Sequence, residues 1–235
     1  SRGQSAAEGP RMRFQMDLID LKFSPSKGFK NILLLVNVYT RQAYAANIKD
    51  KRPATVAVAL EGLLNQLPAE PIFIFSDRGN EFTNNVQALL EQRGITQKAR
   101  IDKHDPNPLS VIDRVIQNLK KRLAESLAAR PGEWSDRIAE VVAQYNATPH
   151  STLHGEPPDD VRDSDIATFM LDQDNARKLK HNQQVMENRK EQLKEVGGFR
   201  RPIGGLTKMK RGFRASYGPV EQVEGFEGLS LIHIS

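Results

Sequence analysis

The chain has 235 residues, of which 38% are hydrophobic and 27% are charged, and its formal net charge at pH 7 is +5. This length is sufficient for one well-buried domain and a smaller one. No run of about 18 apolar residues is present, so we predict no transmembrane span and no membrane partner. Cysteine is absent, which excludes disulfides and any cysteine-ligated zinc site.

The first 49 residues predict a lead-in followed by three strands. Residues 1–12 are small, polar and charged without a period, so we expect them to be flexible. Strands are predicted at Arg13–Lys22, Asn31–Tyr39 and Gln42–Lys49, and their short connections favour an antiparallel meander. The second strand is almost continuously apolar, which is typical of a central strand buried on both faces.

The next segment alternates helices and strands. Helically spaced apolar residues predict a helix at Pro53–Leu67, and an apolar run predicts a strand at Pro71–Ser76. A second helix is predicted at Thr83–Arg93, closed by Gly94 as its C-terminal cap. A fifth strand is predicted at 95–101. The order of three strands, helix, strand, helix, strand predicts a mixed five-stranded α/β sheet with helices on its faces.

Two amphipathic helices follow. The first, Ser110–Ala129, carries one apolar stripe, with Asp113 beside the stripe rather than within it. Ser110 is a good N-cap residue, which would make Asp113 the third helical residue. A carboxylate in a first turn also stabilises a helix by itself, so a capping role for Asp113 stays open. The second helix is predicted at Glu133–Ala147.

The remainder of the chain is basic and rich in turn residues. We expect a linker with a long charged helix at 151–196 and a small β domain at 197–235. The tail Leu229–Ser235 is either a last strand or a sequence unrelated to the fold. Residues 177–214 hold 12 Lys or Arg and 3 Asp or Glu, a local charge of +9, so the other residues sum to 5 − 9 = −4. This asymmetry favours a nucleic-acid arm, with a solvated linker as the alternative.

Three carboxylates have settings that favour metal-dependent chemistry. Asp17 lies in the strand FQMDLIDL, Asp77 follows the strand PIFIFS, and Asp113 lies on the helix of VIDRVIQNLK. Carboxylate oxygens are the ligands that Mg²⁺ prefers. Two such ions about 4 Å apart activate a nucleophile and stabilise the leaving oxygen in phosphoryl transfer. Three acids that converge at one sheet edge would suffice to hold them.

Four segments resemble the catalytic cores of retroviral and retrotransposon integrases. FQMDLIDL resembles the strand that carries the first acid, and NILLLVNVYTRQAYAANIKDK resembles the second and third strands. SDRGNEF resembles the second-acid motif, and QYNATPHSTLHGEPPDDV resembles the stretch after the last helices of the core. The likeness covers roughly residues 13–165 and implies a ribonuclease H-like fold. The basic, glycine-rich end at 197–235 is similar to the small SH3-like β-barrel of that family.

The resemblance implies a role for each acid. Asp17 and Asp77 match the first two metal ligands, and Asp113–Arg114 occupies the place of the third ligand and its following arginine. That third ligand is normally glutamate, so the shorter Asp113 is a departure that puts activity in question. Asp20 competes with Asp17 for the first place, but it lies three residues on, where a strand side chain faces the other way.

The resemblance also implies DNA contacts. One lysine that matches a DNA-contacting lysine of the family and eight further polar or basic residues are candidates: Lys120, Gln117, Asn107, Lys121, Arg200, Arg201, Lys208, Lys210 and Arg211. An exposed helix face is the alternative for the helical ones.

The implied activity is that of a DDE-type integrase. It would use two Mg²⁺ or Mn²⁺ ions to process the 3′ ends of a mobile element and to transfer them into target DNA. We expect double-stranded DNA and further copies of the chain as partners, and an intracellular location in the nucleus or in a virus-like particle. The alternative is a weakened or domesticated integrase-derived protein that binds DNA without efficient catalysis.

Overall fold

The computed structural model describes residues 5–99, 109–195, 199–202 and 217–221. The chain divides into a compact unit of residues 2–180 and a second unit that includes residues 181–235. The first unit contains the sheet and the candidate acids.

Five strands form the sheet of the first unit, as the alternation of strands and helices predicts. They are β1 (Arg13–Asp20), β2 (Asn31–Asn37), β3 (Ala43–Ile48), β4 (Phe73–Ser76) and β5 (Thr96–Ala99). Their order is β3-β2-β1-β4-β5. The first three are antiparallel neighbours, whereas β4 runs parallel to β1 and to β5. The predicted mixed five-stranded α/β sheet is therefore confirmed.

Helices cover both faces of this sheet, and the pattern of β2 explains why. All seven residues of β2 are buried, because alternate side chains enter two different cores. The helices are α1 (Pro53–Leu64), α2 (Asn85–Gln92), α3 (Ser110–Ala129), α4 (Trp134–Asn146) and α5 (Asp165–Glu195). Leu33 and Leu35 pack with α1 and α2, whereas Leu34 and Val36 pack with α3 and α4.

The start of α3 differs from the expectation. The helix begins at Ser110, with Leu109 in the N-cap position and no side-chain cap. The predicted N-cap role of Ser110 is therefore wrong; its hydroxyl lies 3.0 Å from that of Ser5 instead. Asp113 is the fourth helical residue, and its amide donates to the Leu109 carbonyl.

The lead-in and the C-terminal region also differ in detail from the patterns. Ala6 and Ala7 are fully buried, so this part of the predicted flexible lead-in packs against the core. Near the C-terminus the structure describes two paired antiparallel strands, β6 (Phe199–Pro202) and β7 (Tyr217–Glu221). The other residues of the predicted SH3-like domain, including the tail, lie outside the described residues.

Candidate active site

The sheet places Asp17 and Asp77 side by side. β1 and β4 are parallel, with Gln15 opposite Phe75. Continuing this register by two residues sets Asp17 level with Asp77, which directly follows β4. Parallel strands end at the same edge of a sheet, so both carboxylates belong to one edge. Asp17 is half-buried there and Asp77 is exposed.

A buried glutamine ties Asp113 to the same edge. Gln15 is fully buried, and its Oε1 accepts a 2.7 Å hydrogen bond from the backbone amide of Ile112. Gln15 and Asp17 are two residues apart on β1, so they share a face of the strand. The bond therefore holds the first turn of α3, and with it Asp113, against the strand that carries Asp17. Gln15 was not among the site residues predicted from the sequence, although a glutamine within an apolar strand is a signal for such a role.

The acids lie close enough to affect one another. The pKa of Asp17 is raised to about 6, chiefly by burial, and the negative charges of Asp77, Asp113 and Glu81 act in the same direction. The opposing influence is the Leu18 amide, which donates to Asp17 Oδ1 at 2.7 Å. The structure thus brings the three predicted acids into one electrostatic cluster.

Glu81 is a fourth acid of the cluster, and it was not among the site residues predicted from the sequence. It lies in the loop SDRGNEF four residues after Asp77. Its carboxylate folds over Gly79 so closely that a Cβ there would lie 2.5 Å from Glu81 Cδ. The same loop is held by the Gly79 amide, which donates to Asp77 Oδ1 at 3.0 Å. Glycine at this position therefore lets the Glu81 carboxylate lie beside the Asp77 loop.

The cluster does not form a finished metal cage. Within the described residues, no group of three acid or histidine side chains is arranged to hold a metal ion as it stands. One oxygen each of Asp17 and Asp77 is engaged by a nearby backbone amide. The donors fit Mg²⁺ or Mn²⁺ by type, since all are hard carboxylate oxygens gathered with like charge. Ligation would require these side chains to turn towards one another.

Asp20, the competing acid of β1, belongs to a different environment. Its carboxylate accepts hydrogen bonds from the Lys22 amide and the Lys51 ammonium, both at 3.0 Å. These donors lower the pKa of Asp20. The geometry therefore places Asp17, and not Asp20, with Asp77 and Asp113.

The predicted DNA-contact residues are only partly described. Gln117, Lys120 and Lys121 are exposed on α3, and Lys121 also lies 3.8 Å from Glu125. Arg200 and Arg201 belong to β6. The other four candidates lie outside the described residues: Asn107, Lys208, Lys210 and Arg211.

The QYNATPH segment has a structural role. Asn146 is buried, and its side-chain amide makes two 2.9 Å hydrogen bonds with the backbone of Ala43, one as donor and one as acceptor. The Tyr145 hydroxyl donates to the carbonyl of Arg41 at 3.2 Å. These bonds fasten the end of α4 to the β2–β3 turn.

Two curated relatives match part of the chain. An uncharacterized transposon-derived protein of Caenorhabditis elegans is 27% identical over 148 residues, which are 61% of this chain and 49% of that protein. The Pro-Pol polyprotein of feline foamy virus is 27% identical over 156 residues, which are 62% of this chain and 13% of the polyprotein. The match thus spans about half of the first relative and a small part of the second. No protein-family profile matches the chain.

Solved structures with the same fold include retroviral integrases. The catalytic core domain of BIV integrase superposes with a TM-score of 0.54 at 21% identity, covering 65% of this chain and 93% of that one. The magnesium complex of the HTLV-2 integrase core, in its trimeric form, gives 0.53 at 16%, covering 63% and 94%. The simian T-cell lymphotropic virus intasome gives 0.62 at 17%, covering 70% and 59%.

These likenesses establish the fold. The first unit has the ribonuclease H-like fold of retroviral integrase catalytic cores, and the chain is related in sequence to transposon-derived and retroviral proteins. No helix in the described part of the chain combines the length and the apolar composition that crossing a bilayer requires.

Proposed function

We propose that this chain is an integrase of a retrovirus-like or other mobile element, acting as a DDE-type polynucleotidyl transferase on DNA. It would process the 3′ ends of the element and transfer them into target DNA. One observation carries the proposal: on an integrase-core fold, Asp17 lies half-buried within the electrostatic reach of Asp77 and Asp113. A carboxylate whose pKa is perturbed by burial and by specific like charges is typical of a functional site.

The three acids would hold two Mg²⁺ or Mn²⁺ ions. When bound, such a pair activates the attacking hydroxyl and stabilises the leaving oxygen of an in-line displacement. The chain supplies the positioning: Asp17 is fixed on a central strand, and Gln15 holds α3 so that Asp113 faces the same edge. Glu81 adds negative charge from the loop that follows β4.

DNA would lie along the exposed side of α3 and the basic C-terminal region. Gln117 and Lys120 follow Asp113 by about one and two turns of α3, where they would contact phosphates or bases near the cut end. We assign 13–150 to the catalytic core, 151–196 to a linker and 197–235 to a small DNA-binding β domain. One catalytic core is too small to bind two ends of the element and a target DNA together. We therefore propose a homo-oligomer that acts in the nucleus or in a virus-like particle.

A second function is favoured by a specific observation. The described acids are not arranged to hold a metal as they stand, and Asp113 stands where the family has the longer glutamate. An integrase-derived protein that binds DNA but catalyses poorly would have these features. A carboxylate misplaced by about 1 Å lowers a rate on the order of a hundredfold.

Disintegration of a branched DNA substrate in Mg²⁺ and in Mn²⁺ separates the two functions, because that reaction does not require the cognate ends to be known. We expect the activity of Asp77→Ala to be at least about a hundredfold lower than that of the unaltered chain. Asp20→Ala is the matched control and should retain it, since Asp20 lies outside the acid cluster.

Asp113→Glu reports on the third ligand. A gain over the unaltered chain would show that the shorter side chain limits the rate. If the unaltered chain and Asp113→Glu are both inactive while each still binds DNA, the non-catalytic function is correct.

A further inference from the structure

A cavity of about 390 Å³ opens on the other flank of α3, away from the acids. Residues of the β2–β3 turn, α3, α4, α5 and the segment after α4 line it. Among the described residues that line it, none is an aspartate or a glutamate. The residues that carry its chemistry are Arg41, Arg114, Asn118, Tyr145, His150 and Lys178.

Arg41 brings an unsatisfied donor to this cavity. Its Nη1 is buried and has no hydrogen-bond partner among the described residues. The residue is locked in place, because its amide donates to the Asn37 carbonyl at 2.9 Å and its own carbonyl accepts from Tyr145. A φ of 62° puts its backbone in the left-handed region. A buried guanidinium nitrogen without an acceptor is unfavourable by itself, so its retention here points to an acceptor that binds.

The other cations of the cavity repel Arg41. The pKa of Arg41 is lowered to about 10, chiefly by burial; Tyr145 opposes this shift, and the charge of Arg114 adds to it. Burial also lowers the pKa of Lys178, and the positive charge of Arg41 acts in the same direction. The pKa of His150 is lowered as well, chiefly by burial and also by the charges of Arg122 and Arg41. The cavity is therefore a concave region of positive potential, which attracts an anion.

The nearby acid does not neutralise these charges. Asp174 stabilises the charged form of Lys178, but its two oxygens are engaged elsewhere. Oδ2 lies 3.0 Å from His154 Nε2, and Oδ1 accepts a hydrogen bond from Arg177.

The cavity is separate from the candidate active site. Successive residues of a helix are rotated by about 100°, so Arg114 and Asn118 lie on a different flank of α3 from Asp113 and Gln117. None of the three candidate catalytic acids lines the cavity.

We infer that this cavity is a binding site for a phosphate group, with Arg41, Arg114 and Lys178 as its charged ligands. Two guanidinium groups and an ammonium match the acceptor-only oxygens of a phosphate, and arginine binds such oxygens in a forked geometry. Hydroxyl groups at Ser110 and Thr152 add neutral donors around the cations. The phosphate is either a phosphodiester of the DNA backbone or a free phosphate or polyphosphate. The site does not depend on whether the acids are catalytic.

Calorimetric titration of the full chain with inorganic pyrophosphate tests the inference. EDTA prevents binding of pyrophosphate to the acids through a metal ion. Constant ionic strength keeps general electrostatic screening the same throughout the titration. We expect saturable binding that weakens at least about tenfold in Arg114→Gln and in Lys178→Gln, the size of one lost charge-assisted contact. Lys180→Gln removes an exposed cation on the same helix that does not line the cavity, and it should bind within about twofold of the unaltered chain.

A second arm identifies the source of the phosphate. Short duplex DNA is titrated into the same four proteins and followed by fluorescence anisotropy. If both cavity variants also lose DNA affinity relative to Lys180→Gln, the ligand is a DNA backbone phosphate. If only pyrophosphate affinity falls, it is a free phosphate. No saturable pyrophosphate binding by the unaltered chain, or equal binding by all four proteins, overturns the inference. The two cavity variants alter different helices, and circular dichroism identifies one that has lost its fold.

Discussion

Helix α3 separates two surfaces of opposite charge. On one flank Asp113 joins Asp17 and Asp77, together with Glu81. On the other flank Arg114 joins Arg41 and Lys178 around a cavity. Each surface gathers one sign of charge in partly buried surroundings, where like charges destabilise one another. The comparison teaches that each surface has the charge that suits a ligand of the opposite sign, which is a pair of divalent cations in the proposed function and a phosphate in the inference above.

The two surfaces are held by different means. On the acidic flank the sheet register aligns two carboxylates, and one long-range bond from Gln15 sets the third. On the cationic flank no strand end supplies the charges, and the Arg41 turn depends on bonds from Tyr145 and Asn146. Damage to the Arg41 turn should therefore spare the acidic surface, whereas damage to the start of α3 should affect both surfaces, because Arg114 directly follows Asp113.

The largest effect should come from Asn146→Leu. It leaves the buried donor and acceptor of Ala43 without partners, so we expect a loss of about 3 kcal/mol in the free energy of unfolding. Urea denaturation measures this loss, and pyrophosphate binding should weaken with it. Gln144→Leu, which replaces an exposed amide on the same helix, should stay within about 0.5 kcal/mol. Equal stability of the two variants would show that Asn146 does not anchor the turn.

Gln15→Met should have the next effect, at the start of α3. The Ile112 amide loses its acceptor in a buried position, which costs about 2 kcal/mol of stability. The looser start of α3 should lower disintegration activity, and pyrophosphate binding should weaken as well because Arg114 directly follows Asp113. Gln66→Met on the exposed end of α1 is the control. Retention of full activity by Gln15→Met would mean that α3 does not need this bond to place Asp113.

Much of the fold could be predicted because its signals are local. The apolar run of β2 reports burial on both faces, and the stripe of α3 predicts Ser110–Ala129, which are the observed bounds. Gly94, predicted as a cap, has a φ of 68° after α2, where a residue without a Cβ is least strained. The N-cap of α3 was missed because a serine hydroxyl that bonds to Ser5 is not available to its own helix.

The parts of the two surfaces that could not be predicted depend on contacts between distant residues. Gln15 and Ile112 are 97 positions apart, so neither segment by itself indicates its partner. Glu81 lies within a recognised motif, but its proximity to Asp17 follows from the loop geometry at Gly79. The cavity draws its cations from a turn and two helices, so no stretch of sequence displays it.

Asp17→Asn should stabilise the metal-free protein at neutral pH. The folded-state pKa of Asp17, about 6, lies above its ordinary value of 3.8. Its contribution to stability is therefore fully present below about pH 4 and is lost as the pH rises through 6. We expect a gain on the order of 2 kcal/mol at pH 7.5 that disappears near pH 4, measured by urea denaturation in EDTA. A gain of the same size at both pH values would contradict the pKa shift as its cause.

Lys120→Gln should give the smallest effect, and it tests whether DNA lies on the acidic flank despite the charge there. One lost phosphate contact weakens duplex binding by a few-fold at moderate salt and reduces the slope of log K against log salt by about 0.9. Anisotropy titrations at several salt concentrations measure both. Lys27→Gln, whose ammonium is paired with Asp136, should leave the slope unchanged. If Lys120→Gln keeps the slope while Arg114→Gln and Lys178→Gln reduce it, the DNA backbone follows the cationic flank of α3 and approaches the acids from that side.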